Sequence, residues 1–192
     1  AAHQGNRRRE VRVGADAEFI ARADRVVLPG VGAFRDCMAG LDGATGLREA
    51  LVEAVRSRGV PFLGICVGMQ QMADAGHEFG VTPGLGWIGG DITGLEPGDP
   101  SLKVPHMGWN EVVPGQHVLF ERAWGGKPTD VYFVHSYAFR TASPADVAAT
   151  STHGETFAAA VARDNLFGVQ FHPEKSQAAG LALLSAWLDW NP

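Results

Sequence analysis

Three side chains in this sequence have the types and spacing for acyl-transfer chemistry: Cys66, His172 and Glu174. Cys66 stands in Gly64-Ile65-Cys66-Val67-Gly68. Glycines two positions either side suit a sharp strand-to-helix turn that holds a nucleophile in a strained, exposed conformation. The positive end of the following helix would favour the thiolate, and the Val67 N–H would point where an oxyanion forms. Pro173 keeps His172 out of the helical region. In an extended segment, residues two apart project to the same side. The Glu174 carboxylate can then hold one imidazole nitrogen and leave the other to take a proton from a thiol. This is the logic of nucleophilic catalysis at an acyl carbon. Taken singly, a lone cysteine reads first as a core residue and a lone His-x-Glu first as a surface pair. Together, each directly after an apolar strand, they point to chemistry.

The elements that must position them follow from the surrounding pattern. Residues 60–65 are an apolar run of buried-strand length, and residues 67–75 open a helix. Residues 25–28 form another buried-type strand, ending in Pro29-Gly30-Val31-Gly32. The two glycines there allow backbone N–H groups to turn toward a ligand, although a plain strand-to-helix turn explains them equally well. Residues 33–39 predict a short helix stopped by Gly40. Residues 47–58 predict a longer one, with Leu47, Leu51, Ala54 and Val55 on one face and Gly59 past its end. Strand, helix, strand with a right-handed crossover is the natural connection. Ligands then bind beyond the carboxyl ends of the strands, where Cys66 and the 29–32 turn both lie.

Elsewhere the pattern is less regular. Residues 10–14 alternate as a short strand would, and residues 17–23 suggest a turn or two of helix. Glycines, prolines and short alternating runs between 80 and 118 read as hairpins and loops. Among them is Pro105-His106-Met107-Gly108-Trp109-Asn110, whose Trp serves either as core filling or as an anchor for a partner. Residues 130–139 read as one strand, 147–151 and 157–161 as two more around His153-Gly154, and 166–171 as a last strand leading into His172. A helix near 176–189 presents Leu181, Leu184 and Leu188 on one face.

Composition sets the limits. The 192 residues suit one domain, taken as residues 1–192. A formal charge of −5, from 16 basic and 21 acidic residues, implies no nucleic-acid affinity. The basic run Arg7-Arg8-Arg9 reads as solvated. Two cysteines, Cys37 and Cys66, make neither a disulfide framework nor a metal-binding pattern. A reducing cytoplasm suits them. No apolar run approaches the roughly 18 residues of a membrane span, and the polar N-terminus is not a signal peptide.

Two stretches carry a resemblance: Gly64-Ile65-Cys66-Val67-Gly68-Met69-Gln70 and Phe167-Gly168-Val169-Gln170-Phe171-His172-Pro173-Glu174-Lys175-Ser176. They look like the two active-site motifs of the triad (class I) glutamine amidotransferases. Leu28-Pro29-Gly30-Val31-Gly32-Ala33-Phe34, the 105–110 stretch and Tyr132-Phe133-Val134-His135-Ser136-Tyr137 narrow it. With them the sequence resembles the HisH family, the glutaminases of imidazole glycerol phosphate synthases, from about Val26 onward.

The resemblance implies an α/β fold: a three-layer open, mostly parallel sheet with flanking helices and a hairpin-rich insertion. It implies Cys66 as nucleophile, His172 as acid and base, and Glu174 as its orienter. The oxyanion hole would comprise the Val67 N–H and a backbone N–H from Gly30, Val31 or Gly32, in a turn misaligned at rest and set by the partner. Gln70, Glu78, His135, Ser136 and Tyr137 would line the glutamine site. Trp109, Tyr132 and Lys175 would face a cyclase partner, the (β/α)₈ barrel HisF, in a heterodimer. That barrel would carry ammonia to phosphoribulosyl-formimino aminoimidazole carboxamide ribotide, with no metal or cofactor in the glutaminase. Two departures stand out. The family begins with a strand and a full helix, and Gly5-Asn6 runs almost at once into residues 9–13. A strand-helix-strand unit takes on the order of 30 residues, so that unit is expected to be absent from the chain or the sheet edge altered. The other is Val67, where the family usually has Leu.

Overall fold

The computed structural model describes residues 10–192. The 5–6 and 7–9 segments noted above lie outside it. Its centre is a seven-stranded sheet, assembled from strands far apart in the sequence. In chain order the elements of its first half are α1 (Ala17–Ala21), β1 (Val26–Gly30), α2 (Phe34–Gly43), α3 (Leu47–Leu51), β2 (Phe62–Cys66) and α4 (Val67–Gln70). There follow β3 (Ala75–Gly76), β4 (Thr82–Pro83), β5 (Gly90–Gly94), β6 (His106–Pro114), α5 (Val118–Trp124), β7 (Thr129–His135) and β8 (Tyr137–Thr141). The last are β9 (Val147–His153), β10 (Glu155–Arg163), β11 (Leu166–Val169) and α6 (Gln177–Leu188).

The large sheet runs β1-β2-β11-β10-β9-β6-β7. Parallel pairing in it is confined to β1, β2 and β11 and the remaining pairs are antiparallel, so the sheet is mixed and not mostly parallel as expected. The small sheet, β4-β3-β5-β8, is the hairpin-rich insertion. The strand alternation of β2 splits the core in two. Phe62 joins Phe34, Met38, Leu51, Val55 and Met69 on one face. Leu63 joins Phe120, Phe133, Phe167, Phe171 and Trp187 on the other. Both residues are fully buried, as a central strand between two helical layers requires. In the parallel trio Val169 lies opposite Ile65 and Gly30 opposite Cys66, so the three strands end level.

Several sequence expectations are corrected. Residues 10–14 form no strand; Val11 and Val13 are exposed, and Arg12 folds over the Phe19 ring instead. Gly40 does not stop α2, which runs on to Gly43. The 47–58 helix is α only as far as Leu51 and continues as a π-helical turn, Val52–Ser57. The helix after Cys66 ends at Gln70, not near residue 75. Residues 106–110 are strand, not loop. The single strand expected over 130–139 breaks at Ser136: β7 stays in the large sheet and β8 joins the small one. In α6 the inward face is Gly180, Leu183 and Trp187, and Leu181 is 65% exposed. Among the described residues no helix is long and apolar enough to cross a membrane.

Candidate active site

Cys66 occupies the corner between β2 and α4 with φ 54° and ψ −114°. A non-glycine residue there is strained by about 1–3 kcal/mol, so the surroundings must impose it. They do so through the two glycines. A Cβ on Gly68 would come to 1.8 Å from the Leu28 carbonyl oxygen, and one on Gly64 to 2.6 Å from the Gly68 carbonyl oxygen. The elbow is therefore pressed against β1, and only hydrogen fits at either position.

The thiol is buried. Burial pushes its pKa up to about 11, and the neighbouring Val67 N–H only partly offsets this. A four-residue helix and one N–H do not outweigh desolvation, so the thiolate expected from the helix end is not the resting form. The sulfur accepts from Gln170 Nε2 at 3.6 Å and lies 4.0 Å from the Val134 carbonyl oxygen.

His172 follows β11 by three residues and is also buried. Its backbone N–H donates to the Tyr132 carbonyl at 2.9 Å, and its own carbonyl accepts from Ser176 Oγ at 2.6 Å. Nδ1 lies 2.7 Å from Glu174 Oε1. An ionised carboxylate only accepts, so Nδ1 carries the proton and Nε2 the lone pair. Nε2 is buried with no hydrogen-bond partner. Leaving such an atom unsatisfied costs about 1–3 kcal/mol. No thiol–imidazole hydrogen bond is made here, although the two residues sit beyond the ends of neighbouring strands.

The turn after β1 is built differently. Val31 is 76% exposed, Gly32 has φ +90° with open space around it, and Cys37 Sγ donates to the Val31 carbonyl at 3.3 Å. Gly30 belongs to the elbow, since a Cβ there would lie 2.6 Å from the Gly68 nitrogen. A cavity of about 230 Å³ lies between the turn and α2, reaching Leu41 and Gln71.

Of the residues expected to line a glutamine site, three meet in one hydrogen-bonded group and Ser136 joins them through the chain. Gln70 Nε2 donates to the Tyr137 carbonyl at 3.1 Å and to Gln170 Oε1 at 2.9 Å. His135 Nδ1 lies 2.9 Å from the same carbonyl. Ser136 is the link between His135 and Tyr137, its carbonyl accepting from Leu95 N–H. Glu78 stands apart: Oε2 accepts from the Phe34 N–H at 2.8 Å, capping α2 beside the 29–32 turn. Trp109, Tyr132 and Lys175 come together on the surface. Trp109, half exposed, packs edge-on against Tyr132 with centroids 6.2 Å apart, and Lys175 Nζ lies 5.8 Å from the Tyr132 ring centre.

Gln170 and His106 were missed as site residues. Gln170 alone touches the thiol with a side-chain amide. A glutamine within an otherwise apolar strand was the available signal.

A strained cysteine elbow and an oriented histidine, at the ends of adjacent parallel strands under two helical layers, are the arrangement that nucleophilic acyl transfer needs. The family model for "Glutamine amidotransferase class-I" matches residues 9–187, and the chain belongs to that family. Within it the chain stands with the HisH subunits. It is 56% identical over 184 residues to imidazole glycerol phosphate synthase subunit HisH of Caulobacter vibrioides, covering 95% of this chain and 85% of that one. It is 53% identical to the HisH subunit of Rhodospirillum rubrum, covering 100% and 90%. A chain of the solved PurLQS structure from Thermotoga maritima shares the fold, with TM-score 0.65 and 16% identity over 86% of this chain and 79% of that one.

Proposed function

We propose that this chain is the glutaminase subunit of an imidazole glycerol phosphate synthase, acting in histidine biosynthesis. It hydrolyses glutamine to glutamate and ammonia. The ammonia passes to a cyclase partner, the (β/α)₈ barrel HisF, bound as a heterodimer. The partner makes imidazole glycerol phosphate and aminoimidazole carboxamide ribotide from its own substrate. Residues 1–192 act as one glutamine amidotransferase domain, in a cytoplasm suited to the free thiols of Cys37 and Cys66.

The Cys66 sulfur attacks the side-chain amide carbon of glutamine while its proton moves to Nε2 of His172. Burial keeps the resting thiol protonated, so His172 must take its proton before or as the sulfur attacks. The oxyanion is held by the Val67 N–H and a backbone N–H of the Gly30-Val31-Gly32 turn. His172, stabilised as a cation by Glu174, returns the proton to the leaving nitrogen, and ammonia departs. Water then adds to the thioester as His172 takes a proton from it. Collapse releases glutamate and restores the thiol. Gln70, Glu78, His135, Ser136 and Tyr137 line the amino-acid site. Trp109, Tyr132 and Lys175 meet the partner.

The observation that carries this reading is the buried, unpartnered Nε2 of His172, aimed by Glu174 and set one strand away from the elbow. Trp187 Nε1 is buried without a partner as well, so it is the pairing of Nδ1 with Glu174 that marks the Nε2 lone pair of His172 as the one suited to take a proton. Docking at Tyr132 reaches the same place, because its backbone is tied to His172 N–H and to Ser176 Oγ. Free ammonia is mostly protonated at neutral pH and then useless as a nucleophile, which gives reason to restrain hydrolysis until the partner is loaded. The test is labelling with diazo-oxo-norleucine in the presence of the barrel subunit and its substrate. Covalent label on Cys66 is expected; an unlabelled Cys66 under those conditions overturns the reading.

A further inference from the structure

His106 and His135 are buried cross-strand partners on β6 and β7. Their proton positions follow from chemistry. The Tyr137 carbonyl only accepts, so His135 Nδ1, at 2.9 Å, carries a hydrogen. In the neutral ring His135 Nε2 is then an acceptor, and His106 Nδ1, 3.0 Å away, donates to it. His106 Nε2 in turn accepts from Asn110 Nδ2 at 3.1 Å. The orientation of the Asn110 amide is fixed twice more: Nδ2 donates to the Thr152 carbonyl at 2.8 Å, and Oδ1 accepts from the Glu111 N–H at 2.8 Å. The His106 ring is clamped between His153, with centroids 4.3 Å apart, and Phe133 at 4.9 Å, so it is not free to rotate.

The line continues to the nucleophile. The Tyr137 carbonyl that accepts from His135 also accepts from Gln70 Nε2, which donates to Gln170, which donates to the Cys66 sulfur. We propose that His106 and Asn110 are positioning residues for the glutamine site. They hold His135 in the single tautomer with Nδ1 protonated and so keep the Tyr137 carbonyl, Gln70 and Gln170 aimed at Cys66. This rests on the glutaminase reading and goes beyond it, since the hydrogen bonds of His106 and Asn110 go to His135, Thr152 and Glu111 and not to Cys66 or His172. With the other tautomer at His135, a nitrogen lone pair would face the Tyr137 carbonyl lone pairs, and the pair would be pushed apart. A role in packing alone would be met by an apolar ring at 106 without the cost of burying four polar atoms in series.

Burial supports the neutral state by lowering both histidines to about 4. The titratable groups acting on the pair are His153, stacked on His106 from β9, and His172, which acts on His135; each, when protonated, opposes a charge on the pair.

The test uses the complex with the barrel subunit and its bound substrate, and compares wild type, His106→Phe and His106→Asn. Asparagine places an amide N–H near the lost Nδ1–H; phenylalanine keeps the volume and removes the donor. With phenylalanine, glutaminase kcat/KM falls about tenfold, the scale of one buried hydrogen bond left unmade. The acid limb of its pH profile moves to higher pH, because His135 Nε2, without a donor facing it, accepts a proton more readily. Asparagine restores kcat/KM to within about threefold of wild type, which relief of a packing defect would not do. Phenylalanine at 106 with wild-type kcat/KM and pH profile, or asparagine no better than phenylalanine, overturns the proposal. Should the phenylalanine variant not fold, ¹⁵N shifts of His135 in the wild-type and Asn110→Ala complexes decide it: a single Nδ1-protonated form is expected in wild type and a mixture of tautomers in Asn110→Ala, and Nε2 protonation in wild type or an unchanged single form in Asn110→Ala overturns it. If wild type releases no ammonia from glutamine, the glutaminase reading is what fails, and the ¹⁵N shifts still settle the tautomer.

Discussion

The elbow at Cys66 and the turn after β1 lie side by side at one end of the sheet, Gly30 opposite Cys66, yet they are built in opposite ways. At the elbow, backbone meets backbone with no room for a methyl group at Gly30, Gly64 or Gly68. One residue beyond Gly30 the packing is gone: Val31 points into solvent and Gly32 has open space. On the proposed reading, the difference suits them to separate tasks. A nucleophile must be placed to within a fraction of an ångström, so its strained conformation is imposed from several sides. A donor that acts only when a partner is ready is better carried on backbone that can turn at low cost.

The largest expected effect is at the sulfur. Cys66→Ala lowers glutaminase turnover in the assembled complex by on the order of 10⁴-fold or more, with the thermal midpoint within a few degrees of wild type. Ammonia output unchanged by this substitution would remove the elbow from the chemistry and leave the comparison without meaning. Next is the wall behind it. Gly68→Ala forces a methyl against the Leu28 carbonyl oxygen, 1.8 Å away, and no flexible side chain can yield. The chain loses about 3 kcal/mol or more, read from the denaturant midpoint. An unshifted midpoint would show the elbow to be as loose as the turn.

A pH titration separates the buried groups by sign. The thiol of Cys66 is raised from 9.0 to about 11, so the unfolded chain gives up that proton first. The associated stability is whole below pH 9 and is lost as pH rises through about 11, amounting to about 2–3 kcal/mol. Cys66→Ala flattens that alkaline loss. His106 and His135 behave in the opposite sense. Both are lowered from 6.5 to about 4, so their contribution is whole above 6.5 and is lost as pH falls toward 4. Thermal midpoints measured from pH 4 to 11 should therefore fall at both ends, and in Cys66→Ala the alkaline fall alone should shrink, the remainder including Cys37, whose thiol burial also raises.

How far this was legible in the sequence depends on whether the cause is local. The elbow was legible because the glycines that permit it lie two residues from Cys66. Glu174 and His172 were legible for the same reason, with Pro173 between them. The contact of Gln170 with the sulfur was not, because it arises from the register that sets Val169 beside Ile65, and no local pattern encodes that. The break at Ser136 was hidden by an apolar alternation that continues across both β7 and β8. In α6 the residues 178–184 are small or apolar on every side, so periodicity pointed to Leu181, Leu184 and Leu188, while packing chose Gly180, Leu183 and Trp187. The cluster of His106, His135 and Asn110 needed both the β6–β7 pairing and the side-chain geometry before it had any meaning.

The smallest stability effect is expected at Gly32, and it tests the comparison most sharply. A Cβ there meets nothing within 4 Å, so the cost of Gly32→Ala comes from the positive φ of +90° alone. That amounts to about 1–2 kcal/mol in the folded state, partly offset by the lower entropy of the unfolded chain. The net shift in denaturant midpoint is thus a fraction of that for Gly68→Ala. The function of the turn should suffer more than its stability, because alanine disfavours the backbone rotations by which an N–H is swung toward the oxyanion. Turnover in the complex is expected to fall about tenfold, inside the 10²–10³ that losing an oxyanion donor outright would cost. Basal turnover of the chain without its partner should change by less, since the turn is not yet engaged. Equal losses in both states would mean that the turn is already set at rest, and that the contrast with the elbow is one of exposure rather than of task.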